Sequence, residues 1–330
     1  MEKLRIGING FGRIGRTLFR VLLERNGVEV VAVNDIADLR SLAHLLKYDS
    51  IHGTLNAEIS FSESTLNVDG SDILFSQERQ IENILWNDCD FVVEATGSFF
   101  SISKLKSHLI SGAKKVILAS PSSSEETKMI VLGVNDHLLS FNDNIVSNAS
   151  CTSNSAAPMV QLMDDNFGVE QAYITTIHSY TKDQSLHDSP HKDLRRARAG
   201  ALSIIPTTTG AAKALSKIFP HLEIGGCGMR VPVPNGSLTD ITFIVKTECS
   251  IQEVNDLFYN ASRGSHLGIL AYTDEPIVSS DVIGNPASCL FDSQLTSVLG
   301  KMVKVVSWYD NEIGYSNRLA DLIEKMSSKD

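Results

Sequence analysis

Hydrophobic and polar positions change their period near the middle of this 330-residue chain. The opening LRIGING is a short apolar run, and Ile14, Leu18, Val21 and Leu22 then recur at helical spacing, which predicts a strand leading into a helix. A second run, VEVVAVND, ends on Asp35, and DFVVEATG, KVILAS, MIVLGVN and NIVSN follow. These runs are apolar and β-branched, as in parallel strands covered on both faces. Beyond residue 151 the texture differs: AYITTIHSY, LTDITFIVKT and VKVVSWYD are longer and alternate or nearly alternate, which predicts a sheet with one packed and one freer face. At the end, Leu319, Leu322, Ile323 and Met326 stand at i, i+3, i+4 and i+7, a helix. The expected fold class is α/β, with a Rossmann domain over residues 1–149 and an α+β domain over 150–311 built on a mostly antiparallel or mixed sheet.

The first strand runs into Gly10-Phe11-Gly12-Arg13-Ile14-Gly15, and Asp35 lies 20 residues beyond Gly15. In a dinucleotide-binding unit the first two glycines allow a tight turn and close approach of a pyrophosphate to the backbone. The third lets helix and strand pack, and an acid ending the second strand accepts hydrogen bonds from ribose hydroxyls. A glycine pattern alone is equally an ordinary βα turn; strand before, helix after and acid in register favour the fingerprint.

Composition narrows the classes. Hydrophobic residues make up 42% of the chain, and no apolar stretch reaches the roughly 20 residues of a membrane span. MEKLRIGING lacks the apolar core and cleavage site of a signal peptide, so the expected location is cytoplasmic. A net charge of −10 argues against broad nucleic-acid binding, although LRRAR at 194–198 concentrates three arginines. The five cysteines are scattered, without the spacing of a zinc site or redox dithiol, and no metal is expected.

One cysteine stands apart. SNASCTSNSAAP places Cys151 among small polar residues just ahead of MVQLMDDNF, whose spacing is helical. Cys151 is therefore expected at a helix N-terminus capped by Ser150, where unpaired N–H groups and the positive end of the dipole favour a thiolate. The other reading of an isolated cysteine, a small buried hydrophobe, is assigned to Cys89, Cys227, Cys249 and Cys289. Of the nine histidines, His44, His108, His137 and His221 read as solvated surface residues. His178 follows the apolar AYITTI and precedes SYTKDQ, near a strand end where a site could form. Spacing alone does not pair it with Cys151.

SNASCTSN, TTIHSYTKDQ, DLRRARAGALSIIPTTTGAAKAL, RVPVPN and VSWYDNEIGYSNR, with INGFGRIGR and Asn34-Asp35, resemble the phosphorylating glyceraldehyde-3-phosphate dehydrogenases, in order and over essentially the whole chain. The resemblance implies a C-terminal helix, 312–330, returning to the first domain, a homotetramer, and glyceraldehyde 3-phosphate and inorganic phosphate as substrates. It implies Cys151 as nucleophile and His178 as its base. It implies Thr181, Arg195 and Arg230 about the substrate phosphate, and Ser150, Thr152, Thr209 and Gly210 about the attacking phosphate. For the cofactor it implies Gly10, Phe11, Gly12, Arg13, Ile14, Asp35, Arg79, Thr96, Gly97, Ser120 and Asn311.

A carboxylate at Asp35 suits the free 2′-hydroxyl of NAD and repels a 2′-phosphate. Ser189, where NAD-type relatives usually have leucine, leaves NADP open as a secondary cofactor. The chain departs from the family pattern at Ser155, where a second cysteine is frequent, and at Ala119-Ser120-Pro121, which inverts the usual serine-alanine. Further departures are Val233, Gly236 in place of a common valine, and Ile313. The rival readings are an erythrose-4-phosphate dehydrogenase on the same scaffold, a non-catalytic dinucleotide-binding protein and a simple cysteine hydrolase.

Overall fold

The computed structural model describes residues 2–328, which form two compact units. The first comprises the chain up to Ile130, Leu138–Ala149 and the residues from Ser316 on; the second comprises Val131–His137 and Ser150–Tyr315.

The first unit holds a nine-stranded sheet. From one edge the order is Lys128–Met129, Ile145–Ser147, Lys115–Leu118, Phe91–Glu94, Leu4–Asn9, Val28–Asn34, Ser71–Ser76, Thr65–Val68 and Ile59–Phe61. The first seven pair in parallel and the last two close as an antiparallel meander. Leu4–Asn9 is flanked by Val28–Asn34 on one side and Phe91–Glu94 on the other, so the winding reverses at the opening strand. Ligands of such sheets bind outside the strand C-termini at that reversal. Here those ends are Asn9, Asn34 and Glu94, with Asn9 in register with both of the others.

The expected strand MIVLGVN forms only in part. Lys128–Met129 pair with Ile145–Ser147, after which the chain turns. Gly133 has φ +78°, and Asn135 Oδ1 accepts from Val131 N at 2.8 Å, so the backbone is tied into a turn that an apolar run does not reveal. The final helix, Ile313–Ser327, buries Leu319, Leu322, Ile323 and Met326 as its period predicts.

The second unit is built on an eight-stranded mixed sheet. The order is Ile205–Thr207, Glu223–Val231, Val169–Ser179, Ser237–Val245, Met302–Tyr309, Cys289–Asp292 and Leu270–Thr273, with Ser297–Leu299 also paired to Met302–Tyr309. Val169–Ser179 runs parallel to Glu223–Val231 and antiparallel to Ser237–Val245. Helix Cys151–Phe167 packs on Ser237–Val245 and Met302–Tyr309. Two departures from the family pattern find reasons here. Gly236 has φ +83°, and a Cβ on it would stand 2.1 Å from the Ser279 carbonyl oxygen, which excludes valine. The Ser155 hydroxyl contacts those of Ser307 at 2.9 Å and Thr239 at 3.2 Å, a satisfied buried triad beneath the helix.

Candidate functional site

In the first unit the glycine turn is held from both sides. Gly10 has φ +92°, and a Cβ there would stand 2.6 Å from the Thr96 backbone nitrogen, so the Gly10 and Thr96 turns touch backbone to backbone. Gly12 is the N-cap of helix Arg13–Leu23 and supplies no side-chain cap; a Cβ built on it meets nothing within 4 Å. An uncapped helix N-terminus facing open space, with no acid in its first turn, has the N–H groups and charge to hold an anion such as a pyrophosphate. Gly15 lets the first helical turn close on the strand, since a Cβ there would stand 2.1 Å from the Gly10 carbonyl oxygen.

Asp35 lies at the end of the second strand. Its Oδ2 accepts from Phe11 N at 2.6 Å and its Oδ1 from Ala37 N at 2.9 Å. The carboxylate thus fixes the turn with two backbone donors and has further lone pairs for hydroxyls. The Arg13 guanidinium is drawn to Asp49. Arg79 is exposed, Gly97 has φ +68°, and the Ser120 hydroxyl is enclosed without a partner.

In the second unit Cys151 opens its helix as predicted. Ser150 is the N-cap, with Oγ accepting from Ser153 N at 3.1 Å. His178, at the end of Val169–Ser179, brings Nε2 to 3.5 Å from Cys151 Sγ. Arg230 lies directly opposite His178 in the parallel neighbour. Its Nη1 stands 2.6 Å from His178 Nδ1 and 3.0 Å from the Ser179 carbonyl oxygen, which is itself 2.8 Å from Nδ1. A guanidinium can only donate, so its contact makes Nδ1 an acceptor and puts the neutral ring's proton on Nε2, facing sulfur. If Nδ1 donates to Ser179 instead, Nε2 presents a lone pair to the thiol and Arg230 must release the ring. The position of Arg230 therefore selects the histidine tautomer.

Burial pushes the Cys151 thiol up; Arg230, then the Thr152 hydroxyl and the backbone N–H groups of Thr152 and Cys151, pull it back down. Burial pushes the His178 imidazole down to about 3, and Arg230 adds to the effect. Each group alone prefers its neutral form. In the tautomer whose Nδ1 donates to Ser179, proton transfer from sulfur to Nε2 creates two opposite charges in contact, whose attraction in a desolvated site offsets those preferences.

Of the other predicted residues, Thr152 and Asn311 are bonded into the immediate surroundings of this pair. The Thr152 hydroxyl is 2.9 Å from Tyr309 Oη, which is also 3.1 Å from Thr176 Oγ1. Asn311 Oδ1 accepts from Ser179 Oγ at 3.0 Å and Ser237 Oγ at 2.9 Å, which orients its Nδ2 as the donor for a ligand. Thr209 caps helix Gly210–Ile218 by accepting from Ala211 N, and its Cβ lies over Gly228, two residues before Arg230. Thr181 donates through N and Oγ1 to Gln184 Oε1. Within LRRAR, Arg196 is tied to Asp183, Thr207 and Thr208, whereas the Arg195 side chain is exposed.

Comparison with known proteins agrees with this geometry. Residues 4–102 match the family described as "Glyceraldehyde 3-phosphate dehydrogenase, NAD binding domain", and residues 150–311 match "Glyceraldehyde 3-phosphate dehydrogenase, C-terminal domain". The chain belongs to the glyceraldehyde-3-phosphate dehydrogenase family. It is 52% identical over 326 residues to "Glyceraldehyde-3-phosphate dehydrogenase 2" of Streptomyces avermitilis and 51% identical over 331 residues to the Mycobacterium avium protein, covering 97% of each chain in both alignments. It is 49% identical over 332 residues to the Geobacillus stearothermophilus protein, covering 99% of each chain.

Several sequence readings are corrected within this glyceraldehyde-3-phosphate dehydrogenase family fold. His108, expected at the surface, is 0% exposed. Cys89 and Cys289 are buried as expected, but Cys227 and Cys249 are half-buried. Tyr309 and Ser179 were missed; both lie on alternating strands, where pattern separates faces but does not say which inward residue meets the thiol.

Proposed function

We propose that this protein oxidises D-glyceraldehyde 3-phosphate to 1,3-bisphosphoglycerate with NAD and inorganic phosphate, with Cys151 as nucleophile and His178 as base. The observation that carries this reading is a helix-capped thiol 3.5 Å from an imidazole whose far nitrogen is contested by Arg230. Cys151 sulfur attacks the aldehyde carbon to form a hemithioacetal. The backbone N–H groups at the helix start steady the developing oxyanion. His178 Nε2 then takes the hydroxyl proton as the carbon loses hydride and becomes a thioester. NAD, when bound, supplies the hydride acceptor. A phosphate oxygen attacks the thioester carbon, the C–S bond breaks, and the thiolate returns as the acyl phosphate leaves.

Arg230 and Arg195 suit the substrate's phosphate, with Thr181 beside them. Ser150, Thr152, Thr209 and Gly210 suit the attacking phosphate, since hydroxyls and helix N-termini bind such anions. Drawing Arg230 onto an anionic substrate frees Nδ1 to donate to Ser179, which leaves Nε2 as the base. Substrate binding thereby assembles its own proton acceptor.

Gly10, Phe11, Gly12, Arg13, Ile14, Asp35, Arg79, Thr96, Gly97 and Ser120 form the cofactor site, and Asn311 Nδ2 serves the nicotinamide carboxamide. We assign residues 1–149 and the C-terminal helix to the cofactor domain and 150–311 to the catalytic domain. Leu186, Leu194, Leu202 and Ile204 are exposed on the segment following His178, which supports association into a homotetramer. No described helix is long and apolar enough to cross a membrane, and the dissolved substrates suit a cytoplasmic enzyme.

Steady-state reduction of NAD and NADP, with glyceraldehyde 3-phosphate or erythrose 4-phosphate, tests substrate and cofactor together. The expected kcat/KM is highest for NAD with glyceraldehyde 3-phosphate, because Asp35 repels a 2′-phosphate and Ser189 is already engaged with Ser185 Oγ at 2.6 Å. A preference for NADP or for the four-carbon aldehyde would overturn the assignment.

A further inference from the structure

His108, Glu94, Asn9, Asn34 and Trp86 form a buried polar chain to which the catalytic scheme gives no role. Its order of donors and acceptors is fixed by its ends. Trp86 Nε1 can only donate, and it donates to His108 Nδ1 at 2.9 Å. The ring proton is therefore on Nε2, which lies 3.0 Å from Glu94 Oε2. Asn9 Nδ2 donates to the same oxygen at 2.5 Å. Asn34 Nδ2 donates to Asn9 Oδ1 at 2.8 Å, and Asn34 Oδ1 accepts from Ser76 Oγ at 2.8 Å and Glu78 N at 2.9 Å. The other Glu94 oxygen accepts from Thr96 N at 2.9 Å and from the Thr96 hydroxyl. Trp86, His108, Glu94, Asn9 and Asn34 are all buried, and a Cβ on Gly7 would stand 2.7 Å from the Trp86 ring.

The placement of this chain gives it meaning. Asn9, Asn34 and Glu94 are the last residues of three adjacent parallel strands, in register across the sheet. Asn9 and Asn34 are followed at once by residues of the proposed cofactor site, Gly10 and Asp35, and Thr96-Gly97 comes two residues beyond Glu94. Glu94 accepts from every side and donates nowhere, so it is the sink that orients the whole chain.

We propose that Glu94, oriented by His108, is a positioning residue for NAD. It crosslinks the strand ends so that the Gly10, Asp35 and Thr96 turns hold their binding geometry before cofactor arrives. Glu94→Gln keeps the shape but presents an amide N–H₂ to at least one pair of donors, either Thr96 or Asn9 with His108. Neither Asn9 nor His108 can reverse without breaking its bond to Asn34 or Trp86. His108→Leu removes the donor, whereas His108→Gln restores both an acceptor for Trp86 and a donor for Glu94.

The inference rests on the cofactor role proposed for the glycine turn, so the test includes Asp35→Ala, alongside Glu94→Gln, His108→Leu and His108→Gln. KM for NAD, kcat and the alkylation rate of Cys151 without cofactor are measured for each purified protein. Glu94→Gln and His108→Leu are expected to raise KM for NAD on the order of ten- to a hundredfold, the size of a lost charged hydrogen bond. Their kcat and alkylation rate stay within about twofold of wild type, since binding is lost and chemistry is not. His108→Gln restores much of the affinity. An unchanged KM in Glu94→Gln or His108→Leu, with only the melting temperature lowered, overturns the proposal. An unchanged KM in Asp35→Ala instead overturns the cofactor site on which it rests. If Glu94→Gln does not accumulate as folded protein, the His108 pair decides between the same outcomes.

Discussion

Replacing Cys151 by serine is expected to abolish NAD reduction, lowering kcat roughly ten-thousandfold or more, as when other covalent nucleophiles are removed. The size follows from the chemistry. At the head of helix Cys151–Phe167 burial pushes the thiol up, while Arg230, the Thr152 hydroxyl and backbone N–H groups pull it back, and the polarisable sulfur, with His178 to take its proton, remains an effective nucleophile. A serine hydroxyl in the same place gains too little from those donors to ionise. Its ester would also lack the thioester's readiness to pass the acyl group to phosphate. The helix cap and the hydroxyl network persist, since Ser150 and Tyr309 hold them without the sulfur. NAD affinity, measured by calorimetry, should therefore stay within about threefold of wild type, less than one kcal/mol in binding. Residual turnover above a hundredth of wild type would remove Cys151 from the mechanism.

His178→Asn is expected to lower kcat by about 10²- to 10⁴-fold, the usual contribution of a positioned general base. Its more diagnostic effect is on pH dependence. Burial raises the Cys151 thiol above its ordinary value of 9.0, so without a proton acceptor the thiolate fraction at neutral pH is small and grows only as pH rises. With His178 in the tautomer whose Nδ1 donates to the Ser179 carbonyl, the proton can pass to Nε2, and the ion pair provides a reactive sulfur at lower pH. Iodoacetamide alkylation in wild type should thus remain appreciable at pH 7. In the variant it should fall at pH 7 and approach the wild-type rate only in strongly alkaline solution. Identical alkylation profiles would show that His178 does not govern the thiol.

The sequence disclosed the two halves of this chemistry unevenly. The glycine turn and Asp35 were legible because they are local: a strand, a tight turn and a helix follow in one stretch, and the second strand ends a fixed distance on. Cys151 was legible for the same reason, since Ser150 and the small polar residues around it mark a helix start. The meeting of Cys151 with His178 was not, because it depends on a helix start and a strand end converging in three dimensions. Arg230 was further hidden; it reaches His178 through parallel pairing across 52 residues, and only family resemblance suggested it. His108 was misread outright. In ISKLKSHLI it occupies a polar-looking position on a short helix, and its burial is made tolerable by partners from elsewhere, Glu94 and Trp86. MIVLGVN is a strand only at its start, Met129, because Gly133 and Asn135 turn the rest, against its apolar character.

The most direct test is a rapid-mixing experiment with NAD and glyceraldehyde 3-phosphate, with phosphate withheld and then added. The expected trace is a burst of NADH equal to the concentration of Cys151 thiols, a near halt while the thioester persists, and sustained turnover once phosphate arrives. Steady NADH formation without phosphate, or no burst in wild-type protein, would contradict a sulfur-bound acyl group awaiting phosphorolysis.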